Sequence, residues 1–313
     1  TDWYPIVVPY SKEGWLLHQP AFYGENLVYP VSDIKIDLTF ADENNLPMIA
    51  SSALQSGPEG THQFQLKNAR DFVFAMGRQM HVTSGESNGI TVNSYYFDPY
   101  DKAGDAVLQT TLQSIDLYTH LFGPLQDRTA ISAVQGDFND GMEFDGLYYL
   151  SNSFYNLYDG KPNQYLILVA AHETCHQWWF GQVANDQAAD PWLDESLSTY
   201  CEKIYYENFY PDLLDWWWMT RINFYEPKGA IDKDVASYGG FEPYTNAVYR
   251  QGAKFLEELR TLIGDEAFFT TLKSYAAEKR FKIAAPADFF RILRENTTAD
   301  ISPLLKKYFS KEY

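Results

Sequence analysis

Basic residues are scarce: 24 Lys and Arg stand against 42 Asp and Glu, a formal charge of −18. A nucleic-acid binder needs a cationic stripe that displaces counterions from phosphates, so that class is excluded. Docking on an anionic membrane surface is disfavoured by the same sign. Cysteine is nearly absent, with only Cys175 and Cys201 in 313 residues, too few for a disulfide framework. Neither has the spacing of a metal-ligand pair, and both read as buried inert thiols. No apolar run approaches the ~20 residues of a membrane span. The longest, Tyr165 to Ala171, reads as a buried strand or the start of a helix. Internal repeats and low-complexity tracts are missing, as is a charged-then-apolar leader. The chain opens on Thr1 instead of Met, which leaves room for an anchor or targeting segment upstream. A glycosylation sequon at Asn296-Thr297-Thr298 is too common a tripeptide to place the protein in a compartment. Nothing sets the oligomeric state.

What is present is ample core material: 45% of residues are hydrophobic and 17% aromatic, enough buried area for two domains of ordinary size. The first hundred residues read as β-structure. Ile34, Ile36, Leu38 and Phe40 alternate with Lys35, Asp37 and Thr39, the period of a strand with one buried face. Further strands are expected at Met48 to Leu54, His62 to Leu66, Asp71 to Met76 and Ile90 to Phe97. Turns are expected at Asp42-Glu43-Asn44-Asn45, Ser56-Gly57-Pro58-Glu59-Gly60 and Ser84-Gly85-Glu86-Ser87-Asn88-Gly89. From Ala103 the period changes, with Leu108, Leu112, Ile115, Tyr118 and Phe122 at helical spacing, so a domain boundary is set near residue 103. Two short β-runs follow, Thr129 to Val134 and Leu147 to Leu150. Helices are then expected over about 163–184, 192–208, 211–225, 245–263, 265–279, 286–296 and 301–309. The run Trp216-Trp217-Trp218 suits packing between helices better than a carbohydrate platform.

The chemistry lies in Ala171-His172-Glu173-Thr174-Cys175-His176, an H-E-x-x-H sequence on an expected helix. Residues i and i+4 share a helix face, so both imidazoles can reach one metal, with Glu173 beside it as general base. Taken alone the pentapeptide also fits a helix that carries two histidines by chance. A metzincin continuation fails, because Trp179 stands where that pattern needs Gly and Gln182 where it needs His. Trp192-Leu193-Asp194-Glu195-Ser196 supplies a carboxylate instead, with eighteen residues between His176 and Glu195. That interval lets one helix end and a second return past it, giving the His, His, Glu set of a catalytic zinc site. Glu202 follows Glu195 at i+7 on the same face. It is either an acceptor that fixes the tautomer of a ligand imidazole or an ordinary surface acid.

These residues resemble peptidase family M1, the zinc aminopeptidases of the gluzincin branch. Gly141-Met142-Glu143-Phe144 resembles the family's G-A-M-E-N exopeptidase motif, and Val248-Tyr249-Arg250-Gln251-Gly252-Ala253-Lys254-Phe255-Leu256 resembles its Y-x-x-G segment. Looser likenesses lie at Trp3-Tyr4-Pro5, Asp71-Phe72-Val73-Phe74-Ala75 and Asp300-Ile301-Ser302-Pro303. The resemblance implies an α+β chain: a partial N-terminal antiparallel β-domain over residues 1–103, then a thermolysin-like, mainly helical zinc catalytic domain over 104–313. It also implies a form without the C-terminal helical domain of many members. One zinc ion is implied per chain, on His172, His176 and Glu195. Glu173 then takes a proton from the attacking water and passes it to the leaving amine. Tyr249 donates its hydroxyl to the oxyanion, Glu143 holds the substrate's α-amino group, and the backbone of Gly141 and Met142 lies along the substrate.

The implied activity is aminopeptidase cleavage of peptides with a free N-terminus, with no nucleic acid and no membrane span in this chain. Two alternatives remain: a zinc endopeptidase, since the Ala and Asn flanking Met-Glu in the family motif are absent here, and a non-catalytic M1-like binding scaffold.

Overall fold

Alternation of Ile34, Ile36 and Leu38 with polar neighbours produces a strand, and the computed structural model shows it paired as the pattern requires. The structure describes residues 3–11, 14–26, 28–42, 45–58 and 61–313. Two of the expected turns include residues outside that set, namely Glu43 and Asn44 in one and Glu59 and Gly60 in the other. The chain divides into two compact units. Thr1–Pro5, Val31–Thr119 and Pro124–Gln177 form the first; Ile6–Pro30, His120–Gly123 and Trp178–Tyr313 form the second.

In the first unit, β1 (Ser32–Leu38), β2 (Met48–Ser51), β3 (Gln55–Ser56), β4 (His62–Ala69) and β5 (Phe74–Gly77) make small antiparallel sheets. Strand β4 pairs with β1 and β3, and β2 pairs with β5. The inward residues Phe64, Leu66 and Phe72 form one core, with Ile34, Ile36 and Leu38 packed on it.

A five-stranded sheet follows: β6 (Met80–Ser87), β7 (Ile90–Phe97), β8 (Ala130–Gly136), β9 (Gly141–Phe144) and β10 (Leu147–Ser151), in the spatial order β9-β10-β8-β7-β6. Strands β7, β8 and β10 run parallel, and β9 closes back antiparallel on β10 as an edge. Helix α1 (Asp101–Phe122) makes the crossover from β7 to β8. Its Val107, Leu108 and Ile115 are buried. A Cβ on Gly85 would meet Leu112 at 2.8 Å, so glycine lets α1 lie close on β6.

The expected turn at 84–89 is smaller than its composition suggests. Ser84 to Ser87 continue β6, and only Asn88 and Gly89 turn, with φ of 52° and 75°. Asn-Gly at positive φ is the two-residue hairpin turn whose twist matches the flanking strands.

After α2 (Asn152–Leu157), the apolar run Tyr165 to Ala171 starts α3 (Tyr165–Cys175), a helix buried on every side from Leu166 onward and packed on β9 and β10. It ends well short of the expected residue 184. The aromatic run Trp178-Trp179-Phe180 looks periodic, but Phe180 takes a φ of 146° that no helix contains.

The second unit is helical: α4 (Trp192–Phe209), α5 (Leu214–Trp217), α6 (Phe241–Thr245), α7 (Gly252–Ile263), α8 (Asp265–Glu278), α9 (Pro286–Asn296) and α10 (Ser302–Tyr308). Its core is aromatic, with Trp192 set against Phe255, Phe289, Phe290 and Phe309 at centroid distances of 5.2–6.2 Å. Residues 211–225, expected as one helix, instead run through a 3-10 turn, α5, a π turn and another 3-10 turn. The tryptophan run packs as expected: Trp217 is buried and stacks edge-on with Trp218 at 4.9 Å, while Trp216 lies 5.5 Å from Tyr206. No described helix is long and apolar enough to cross a membrane. The molecule is thus a mixed α and β chain, β-rich in its first hundred residues and mainly helical from residue 152 onward.

Candidate active site

Helix α3 is the first functional element. One helical turn separates His172 from His176, and their Nε2 atoms approach to 3.1 Å, with ring centroids 4.8 Å apart. Both rings are buried, His176 completely. Nitrogens this close either share one proton as N–H and acceptor or turn both lone pairs to one cation. Zinc bound ~2.0–2.1 Å from each nitrogen suits a pair this close, so these side chains fit a metal. Glu173, 4% exposed, lies on the same helix. Its charge helps push the Tyr148 hydroxyl up to about 12, after burial as the main cause.

Strand β9 lies directly on Glu173. A Cβ on Gly141 would stand 2.1 Å from Glu173 Oε1 and 2.7 Å from Val169 Cγ1, so a side chain there would have to displace the Glu173 carboxylate from this position. Asp140, where the resembling motif has glycine, takes φ 69°, and Asp is among the few non-glycine residues that visit this region readily. Glu143 is 4% exposed and pairs across β9–β10 with Tyr148, while Met142 packs against Val134, Phe144 and Leu147. The turn after β9 is clamped. Asp145 accepts the fully buried Arg128 guanidinium in a bidentate pair and the Arg70 amide at 2.8 Å, and donates its own N–H to Asp71 at 3.0 Å. Burial lowers the Arg70 guanidinium to about 10, against the raising effect of Asp145. His172, Glu173, His176, Gly141, Met142 and Glu143 are therefore brought together within the first unit.

The second unit holds the remaining residues. Asp194 and Glu195 occupy the first turn of α4, where a helix dipole favours carboxylates, and both are buried. Tyr249 sits in a π-helical stretch, Asn246–Gln251, a local widening of the helix often found at functional sites. Its hydroxyl hydrogen-bonds the Glu195 carboxylate. Burial, then the charge of Glu195, raises its pKa well above the ordinary tyrosine value, which keeps it a proton donor. The approach depends on Gly252: a Cβ there would meet Ser196 Oγ at 2.0 Å, while Ser196 Oγ donates to the Val248 carbonyl at 2.6 Å. Glu202 is fully buried, which excludes the surface-acid alternative, and it accepts from Trp217 Nε1 at 3.0 Å and from Arg221 at 2.8 Å.

Sequence reasoning missed several contributors. Tyr244 meets Tyr249 edge-on at 5.7 Å, and Glu25 adds to the rise of both phenols. Gln177, next to the second histidine, binds the β9–β10 turn. The expectation of two thiols is corrected: Cys175, at the end of α3, and Cys201, in α4, are disulfide-bonded and neither is free. Two cysteines this far apart in the chain gave no sequence signal for an oxidised state.

Residues 126–308 match the family described as the peptidase family M1 domain. The chain is similar to Aminopeptidase M1-A of Oryza sativa subsp. japonica, 23% identical over 251 residues, covering 74% of this chain and 28% of the relative. It is also similar to Aminopeptidase N of Lactobacillus helveticus, 23% identical over 262 residues, covering 76% and 30%. This chain thus spans under a third of the length of either relative. Among solved structures it resembles a mutant M1 zinc metallopeptidase from Deinococcus radiodurans, with TM-score 0.61, 17% identity, and 90% of this chain against 64% of that one.

Proposed function

The chain belongs to peptidase family M1, and on that premise we propose that it is a zinc metallo-aminopeptidase releasing N-terminal residues from peptides. His172, His176 and Glu195 hold one zinc ion, and Glu202 accepts a hydrogen bond from a ligand imidazole. Residues 104–313 form a thermolysin-like catalytic domain, and residues 1–103 are part of the family's N-terminal β-domain. The observation that carries the reading is the pair of buried imidazole nitrogens 3.1 Å apart, on one helix with a buried glutamate between them. The names of the relatives point the same way: aminopeptidases among curated proteins, and among solved structures an M1 zinc metallopeptidase mutant bound to a Tyr-Ser-Ala substrate.

A bound zinc supplies a Lewis acid that acidifies water and polarises the scissile carbonyl. This chain's residues do the rest. Glu173 takes the proton from the attacking water and delivers it to the leaving amine. The protonated Tyr249 hydroxyl donates to the developing oxyanion. The substrate backbone adds alongside the free edge of β9 by hydrogen bonds that need no particular side chain. The buried carboxylate of Glu143 on that same strand neutralises the substrate ammonium, whose burial without a partner costs several kcal/mol. That placement favours exopeptidase over endopeptidase action.

A panel of aminoacyl chromogenic substrates, free and N-acetylated, tests the reading with and without a chelator. Release from free-amine substrates alone, abolished by the chelator and restored by zinc, is the expected result. Equal cleavage of acetylated substrates would make the protein an endopeptidase. A protein without stoichiometric zinc would belong to the binding scaffolds.

A further inference from the structure

An aminopeptidase must cut one residue from the ammonium anchor, so the distance between anchor and general base is its specificity. Here the anchor, Glu143, is on β9 and the base, Glu173, on α3. Sheet pairing with β10 holds β9 within its hairpin but does not fix where the hairpin sits along the helix.

We infer that Gln177 is a positioning residue that locks the Glu143 strand to the Glu173 helix and so sets exopeptidase register. The coupling has its meaning on the aminopeptidase reading proposed above. Gln177 follows the second histidine directly and is buried. Its carboxamide uses both ends on one turn: Oε1 accepts the Gly146 N–H at 2.8 Å and Nε2 donates to the Phe144 carbonyl at 2.9 Å. Phe144 is the residue after Glu143. The other end of β9 is set by Gly141, whose missing side chain leaves room for Glu173 and Val169. Gln177, in the turn that follows α3, thus ties down one end of the strand, and the lack of a side chain at Gly141 lets the other end lie close on α3.

The turn itself has no slack. Gly146 takes φ 78° with Ser52 O 2.2 Å from where a Cβ would stand, and its carbonyl accepts the Ser132 N–H at 3.0 Å. The Asp145 carboxylate is held by Arg128 and by the Arg70 amide. A displacement of the hairpin relative to α3 breaks both Gln177 hydrogen bonds, and loss of this side chain strands two buried backbone groups.

Gln177→Ala and Gln177→Glu test the coupling; the second keeps an acceptor for Gly146 and loses the donor to Phe144, so it carries the test if the alanine variant does not fold. Steady-state kinetics on alanyl p-nitroanilide and its N-acetyl form give one readout. Calorimetric binding of alaninamide against N-acetylalaninamide to the zinc-loaded protein gives a second that needs no turnover. With zinc content unchanged, kcat/KM for the free amine should fall about 10- to 100-fold, mostly through KM, as misplacement by an ångström does. The preference for free over acetylated ligand should shrink by a similar factor in both readouts. A variant that holds zinc and keeps the wild-type preference, whether kcat falls or not, overturns the coupling and leaves Gln177 a packing residue. Wild-type protein whose turnover ignores a chelator overturns the aminopeptidase reading instead.

Discussion

Single atoms set the limits of this site. Gly141 stands where a methyl group would overlap the Glu173 carboxylate, so Gly141→Ala must swing the base aside. It should lower kcat about tenfold or more, the scale of a small misplacement, while zinc content stays unchanged; a fully active variant would show that Glu173 has room to spare. Glu173→Gln removes the proton acceptor and keeps the shape. It should retain zinc and lose at least ~10² in kcat, the lower end of general-base catalysis, and normal turnover would transfer the role elsewhere. Tyr249→Phe should lose ~10²–10³ in kcat with little change in KM, as the loss of one oxyanion donor does. Burial and the charge of Glu195 both hold this hydroxyl protonated, so the wild-type donor persists through neutral and mildly alkaline pH. An unchanged kcat would reduce Tyr249 to packing.

At the scale of elements, the site depends on how short segments are held. The β9–β10 turn is kept by the buried Arg128–Asp145 pair, whose side chains are 1% and 0% exposed. Removing one charge of such a pair strands the other. Asp145→Ala should therefore cost ~3–5 kcal/mol of stability by that reasoning, measured by chemical unfolding at neutral pH. A loss under 1 kcal/mol would mean the pair is dispensable. These elements were unevenly legible. The H-E-x-x-H helix is legible from its motif and not from periodicity, since Leu166 to Cys175 are buried on every side. Strand β9 is not legible: it has four residues, two of them Gly141 and Glu143, and its strand character comes from pairing with β10. The π turn at Tyr249 is equally silent in sequence, since its residues read as part of one ordinary helix over 245–263. Helix α3 was read too long because periodicity counts Phe180 as apolar and cannot see its φ.

Over the whole molecule, the acidic composition that excluded nucleic acid is compatible with ligands that arrive carrying an ammonium group. The β-rich first hundred residues and the helical remainder were readable because the hydrophobic period switches from two to about 3.6 near residue 103. The disulfide state of Cys175 and Cys201 was not, because it depends on tertiary placement alone. Membership of family M1 rests on residues 126–308, which include every residue assigned here to metal, base, oxyanion and ammonium. The most direct test is the metal content of the purified protein at neutral pH, beside His176→Ala and Glu173→Gln. One zinc per chain in the wild-type and Glu173→Gln proteins, and its loss in His176→Ala, is the predicted result. Wild-type protein without zinc, or His176→Ala that binds it as tightly, would contradict the account.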